Sequence, residues 1–112
     1  MANTFNSTQL AVTTVTTDLY QAPTGTGNVS VVMSCIAANV NGGASADFTL
    51  IKTDSANTVQ SHIVFTVPVP ADTSLECIPN KVVLKAGEKL RASASANVYI
   101  QATASVLEIT NP

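Results

Sequence analysis

This chain is poor in charge. Only 11% of its 112 residues are Asp, Glu, Lys or Arg, where globular chains average about 25%. Five basic residues against seven acidic ones leave a formal net charge of -2. No basic stripe exists to neutralise phosphates or anionic lipid, so neither nucleic acid nor a membrane surface is an expected partner. Tryptophan is absent, and three Phe and two Tyr are the whole aromatic complement. Sugar-binding sandwiches stack their ligands on exposed rings, so this scarcity argues against a carbohydrate site. Tyr20 and Tyr99 are the amphipathic rings left for one, while Phe5, Phe48 and Phe65 suit a core or a subunit contact.

The single histidine, His62, has no Cys, His or acidic neighbour at ligand spacing. Neither a zinc site nor a Cys-His nucleophile is signalled. Cys35 and Cys77 lack CxxC spacing and permit one disulfide, which would close a long loop and contribute roughly 3–4 kcal/mol. The start of the chain carries no positive n-region followed by an apolar stretch, so no secretory leader is read there. The cysteines are therefore expected as free, inert thiols. No apolar run approaches the roughly 20 residues of a membrane helix.

The carboxylates, Asp18, Asp47, Asp54, Asp72, Glu76, Glu88 and Glu108, are scattered singly. No acid-base pair is signalled. Calcium between Asp47, Asp54 and Asp72 would need their loops to converge, and the spaced ligands of an EF-hand are missing. Thr24-Gly25-Thr26-Gly27 lacks the lysine and following helix of a phosphate cradle and reads as a turn. The chain is expected to be no enzyme and to carry neither cofactor nor metal.

What is present is β-structure. Hydrophobic residues make up 46%, and the length matches one domain. Thr and Val are abundant, stiff at χ1, and fit a pleated surface. No helical stripe survives the Gly, Pro, Asn and β-branched clusters. Alternation and turn residues place eight strands, at 9–20, 29–40, 46–53, 59–67, 74–78, 81–85, 88–96 and 98–109. Asn41-Gly42-Gly43 and 54–57 are read as hairpin turns, with further turns at Pro79-Asn80 and Ala86-Gly87. In the second strand Val29, Val31, Met33, Cys35 and Ala37 share one face. In the fourth, Val59, Ile63, Phe65 and Val67 are expected inward and Gln60, His62 and Thr66 outward. Val67-Pro68-Val69-Pro70 cannot lie in a central ladder and should form a rim segment or a crossover. The expected fold is one all-β domain, an antiparallel β-sandwich or jelly roll of about eight strands over 9–112, preceded by a polar arm at 1–8.

Four segments occur in order: Leu19-Tyr20-Gln21-Ala22-Pro23, Val67-Pro68-Val69-Pro70, Leu84-Lys85-Ala86-Gly87-Glu88-Lys89-Leu90-Arg91 and Ser105-Val106-Leu107-Glu108-Ile109. This order resembles small all-β virion proteins of tailed bacteriophages, over roughly residues 19 to 109. The resemblance implies a homo-oligomeric structural protein of the virion, assembled in the host cytoplasm. Its partner would be the major capsid protein if it is a decoration or cement protein, and neck or tail proteins if it is a collar, whisker or baseplate module.

Three segments are the candidate interface. The arm, with Ala2, Asn3, Thr4 and Phe5, is long enough to add a strand to a neighbour. Val67, Pro68, Val69 and Pro70 are rigid, and Leu90, Ala92, Ala94 and Ala96 carry mostly small side chains that admit close approach.

Overall fold

The β-branched alternation read above becomes nine strands and no helix in the computed structural model, which describes residues 2–78 and 80–110. They are β1 (Ala2–Val12), β2 (Thr17–Gln21), β3 (Val29–Asn39), β4 (Ala46–Thr53), β5 (Val59–Val69), β6 (Ser74–Glu76), β7 (Val82–Lys85), β8 (Lys89–Ala94) and β9 (Ile100–Thr110). Two antiparallel sheets form a sandwich. One has five strands in the order β1-β9-β3, with β6 and β7 both beside β3. The other has four in the order β2-β8-β4-β5. Apart from the β4-β5 hairpin and the β6-β7 link, every connection changes sheet. That wrapping is a jelly roll in which one of eight strands is broken into β6 and β7.

The core lies between the sheets. Leu50, Phe48 and Leu90 of one sheet meet Val12, Val32, Leu84, Ile100 and Val106 of the other, all fully buried. Burying each such Val, Leu or Phe contributes about 1.5–3 kcal/mol. Buried polar side chains are satisfied: no described one is left without a partner. Asn39 shows how, donating from Nδ2 to the carbonyls of Ala44 (3.0 Å) and Val69 (2.9 Å) and so tying the β3-β4 loop to β5.

Several expectations need correction. The strand read at 9–20 is two strands in different sheets. Between them Thr13 Oγ1 donates to the Val15 carbonyl and accepts from the Val15 N–H, and Thr17 Oγ1 donates to the same carbonyl. Such local threonine bonds compete with ladder bonds and turn the chain. Residues 2–8 do not project as an arm. The expected boundary between arm and sandwich falls inside β1, which pairs with β9 from Ala2↔Thr110 to Val12↔Ile100.

Asn41-Gly42-Gly43 does not close a hairpin, since β3 and β4 lie in different sheets. Asn41 Oδ1 accepts the N–H groups of Gly43 and Ala44, and neither Gly42 nor Gly43 has positive φ. The true left-handed glycine of a tight connection is Gly87, at φ 80 between β7 and β8. The 54–57 turn is a hairpin as read, with Asn57 at φ 68 and Asp54 Oδ1 accepting from the Ala56 and Thr58 N–H groups. The Pro79-Asn80 turn falls partly outside the described residues.

Bulges account for two misassigned faces. A register shift between Val32 and Ser34 turns β3 over at Met33, so Val29 and Val31 face outward while Cys35 and Ala37 face the core. In β5, three register shifts and Thr66 at φ 47 break the alternation. Phe65 is 64% exposed and Val59 48%, while Val64 and Val69 are buried. His62 is exposed as expected, and its ring meets Phe65 edge-on at 4.8 Å.

Candidate functional site

The feature least explained by folding alone is the outer face of the five-stranded sheet. In β9, Ile100, Ala102, Ala104 and Val106 enter the core, so by alternation Gln101, Thr103, Ser105, Leu107 and Ile109 point away from it. Strand register carries that face across the sheet. Phe5 stands opposite Leu107, Leu107 opposite Val31, and Val31 opposite Val83. These four side chains form one apolar row across four strands, spanning about 14 Å at the usual strand spacing. Phe5 is 74% exposed and Val83 53%.

The next row is Asn3, Ile109, Val29 and Lys85. On the other side run Ser7, Ser105 and Ser34, then Gln9, Thr103, Ile36 and Glu76. One half of the face is therefore mainly aliphatic and aromatic, with Asn3 and Lys85 at its ends, and the other is mainly hydroxyl and amide, with Ile36 and Glu76 in its last row. Charge enters these rows only at Lys85 and Glu76. A face of this composition suits desolvation against another protein surface, because few ionic groups must shed water.

The three interface segments read from sequence do not come together. Asn3, Thr4 and Phe5 lie on β1, and only the backbone of Ala2 is described. Val67, Pro68 and Val69 belong to β5, at the far flank of the other sheet, with Pro70 just beyond it. Pro68 and Pro70 are exposed there, whereas Val69 is buried. The Leu90–Ala96 reading is corrected most. Strand β8 is central in its sheet, Leu90 and Ala92 are fully buried, and Ala94 and Ala96 pack against the same core. Their small size serves sheet-to-sheet packing within the chain. Of the outer row, sequence reasoning placed only Phe5 in the interface, as part of the arm, and did not single out Leu107, Val31 or Val83 for it. It missed the bulge at Met33 that decides which residues emerge.

Clusters that could carry chemistry have structural partners instead. Tyr20 is buried, its phenol donating to Glu108 Oε2 at 2.5 Å with Ser30 Oγ at 2.9 Å. Burial first, and then Glu108, pushes its ionisation up to about 12. A ring so enclosed offers no sugar platform. Glu88 accepts the Lys85 N–H at 2.7 Å, and Lys52 Nζ lies 3.4 Å away. Burial acts to raise its carboxyl, but bonds from the Lys85 backbone, Gln60 and Lys52 outweigh it and hold it below the usual range. Asp18 is likewise held low: partial burial is outweighed by Arg91 at 2.7 Å and Lys89 at 3.2 Å.

Cys35 and Cys77 are free and buried, with the Cys77 N–H donating to the Cys35 carbonyl at 2.8 Å. The side chain of Cys77, followed by burial, pushes the Cys35 thiol far up. Asp47 and Asp54 sit at opposite ends of β4, about 23 Å apart along the strand. No group of three or more metal-ligating side chains gathers among the described residues. The 25–29 turn, with Lys85 and Ala86, borders an open cleft of about 650 Å³ at one end of the sandwich. Its Asn28 side chain is committed to the Thr24 carbonyl at 2.8 Å. Compared with the models of known protein families and with curated proteins, the chain matches none.

Proposed function

We propose that this chain is a non-enzymatic structural protein of a tailed-bacteriophage virion, a capsid decoration or cement module that binds the outer shell and bridges capsomers. It docks through the outer face of its five-stranded sheet. The observation that carries the docking surface is the row Phe5, Leu107, Val31 and Val83, a continuous apolar band across four strands with Phe5 and Val83 exposed at its ends.

Three further points support the reading. The ordered motifs between residues 19 and 109 resemble those of small phage virion proteins. Double-sheet jelly rolls recur in viral capsid proteins, as they do in lectins and cupins. The titratable side chains with shifted ionisation are engaged in holding turns and sheets together. A cement protein needs no more than this, since each copy contributes modestly and the lattice multiplies the effect.

The test is rebinding to particles that lack the protein. Wild-type chain should cosediment with them, whereas Val31→Lys and Leu107→Lys, which place a cation in the row without entering the core, should lose binding at least tenfold while remaining folded. Binding unaffected by both substitutions would remove this face from the proposal. Binding to tails or necks and not to shells would move the module to that part of the particle.

A further inference from the structure

The geometry points to a second copy of this chain pairing with β1 edge to edge, about a two-fold axis at Ser7, so that two five-stranded sheets become one continuous sheet. The inference rests on a comparison of the sandwich's four exposed edges, and it holds whatever larger assembly the chain joins.

A free edge strand invites strand addition, and proteins blunt it with short length, charge, proline or bulges. Three edges here carry such devices. Strand β2 has five residues, a register shift at Asp18/Tyr20 and the charge of Asp18. Strand β5 has three register shifts, Thr66 in the left-handed region and Pro68. The edge beside β3 is divided between β6 and β7, of three and four residues, bearing Glu76 and Lys85. Strand β1 has none of them. Its eleven residues, ANTFNSTQLAV, contain no charge, proline or glycine, and its register with β9 is unbroken.

Which backbone groups face outward follows from the ladder. The Cys77 N–H bonds the Cys35 carbonyl and the Val40 N–H bonds the Tyr99 carbonyl. Odd residues of β3 beyond the bulge therefore face β6 and even ones face β9, so odd residues of β9 serve β3 and its even residues serve β1. In β1 the even residues are spent on β9, leaving the N–H and C=O groups of Asn3, Phe5, Ser7, Gln9 and Ala11 on the open edge. The Ser7 N–H agrees, turning to Oδ1 of the preceding residue, Asn6, at 2.9 Å.

An antiparallel copy satisfies all of these groups in one register. With the axis at Ser7, Asn3 lies opposite Ala11 of the second copy, Phe5 opposite Gln9, and Ser7 opposite Ser7. Both strands overlap over their full length, and about ten backbone hydrogen bonds form. No like charges meet, because β1 has none. The interface is self-complementary, as a two-fold contact requires. The axis stands normal to the sheet, so the Phe5–Val83 rows of both copies lie on one side, doubling the docking face.

Sedimentation over a micromolar-to-millimolar series tests this on purified protein. Wild type should sediment as a dimer. Ser7→Lys and Ser7→Glu each place like charges opposite one another at the axis and should sediment as monomers, whereas their equimolar mixture should recover the dimer. Ser7→Pro removes an outward N–H that β9 does not use and should be a folded monomer by circular dichroism, which keeps the test decisive if a charged variant unfolds. A wild type that stays monomeric at millimolar concentration, or a Ser7→Pro variant that dimerises like wild type, would overturn the inference. A charged pair that does not recover the dimer on mixing would overturn the Ser7 axis.

Discussion

Tyr20 of β2 donates its phenolic hydrogen to Glu108 of β9 at 2.5 Å, and Ser30 Oγ of β3 lies 2.9 Å from the phenolic oxygen. One side chain thus ties the four-stranded sheet to two strands of the five-stranded one. Tyr20→Phe keeps the ring in the core but leaves a buried serine and a half-buried glutamate without this partner, which should cost about 1–3 kcal/mol. Thermal unfolding checks it, with a fall of roughly 4–8 °C per kcal/mol for a domain near this size.

The same contact sets an alkaline limit. The neutral phenol is the form held in the fold, and its ionisation is raised to about 12 from an ordinary value near 10. The folded state keeps a proton that the unfolded state has lost between those values. Its stabilisation is therefore complete below pH 10 and disappears as the pH rises toward 12. In a Tyr99→Phe background, tyrosinate absorbance should report Tyr20 titrating near the upper value while the fold persists.

Glu88 gives the acid counterpart. Its folded carboxyl is held below the unfolded one, so its contribution is present above the ordinary glutamate range and is lost as the pH falls through the lower folded value. Glu88→Gln should flatten the acid limb of a stability-against-pH curve below about pH 4. It should also lower stability at neutral pH, because the Lys85 N–H and Lys52 lose a charged acceptor.

The two classes of apolar position should separate cleanly on substitution. Ala92→Leu adds bulk to a filled space between the sheets and should cost about 1–3 kcal/mol, and Ala92→Arg should unfold the chain. Val83→Lys, on the open outer row, should change stability by less than about 0.5 kcal/mol. Denaturant titrations of the three variants read this directly.

Cys35 and Cys77 should resist a thiol-specific reagent in the native protein and react only on unfolding, since both are buried. Native reactivity comparable to that of a small thiol would contradict the burial found for them.

The all-β class and the sandwich were legible because abundant Thr and Val, regular turns and the absence of helical stripes all agree. Strands β3 and β4 were readable nearly to the residue, as each is bounded by polar turns. The errors arose where side chains or bulges redirect the backbone. Thr13 and Thr17 turn the chain between sheets by bonding Val15, which alternation does not encode. The bulges at Met33 and along β5 invert faces without any glycine to mark them. The arm looked separate because β1 is polar, yet an edge strand with one solvated face can be polar and still pair throughout. Small residues at Ala92 and Ala94 fit a subunit contact or a tight core equally well, and only the placement of β8 between β2 and β4 distinguishes them.

The central claim, a shell-bound structural module, is tested most directly by counting copies of this chain against the major capsid protein in purified particles by quantitative mass spectrometry. A ratio near one, or a simple lattice fraction, is the predicted result. A count of roughly 3 to 36 per particle, as closed rotational symmetry at a neck or tail would give, would contradict decoration and relocate the module. Absence from the particle would contradict the virion reading altogether.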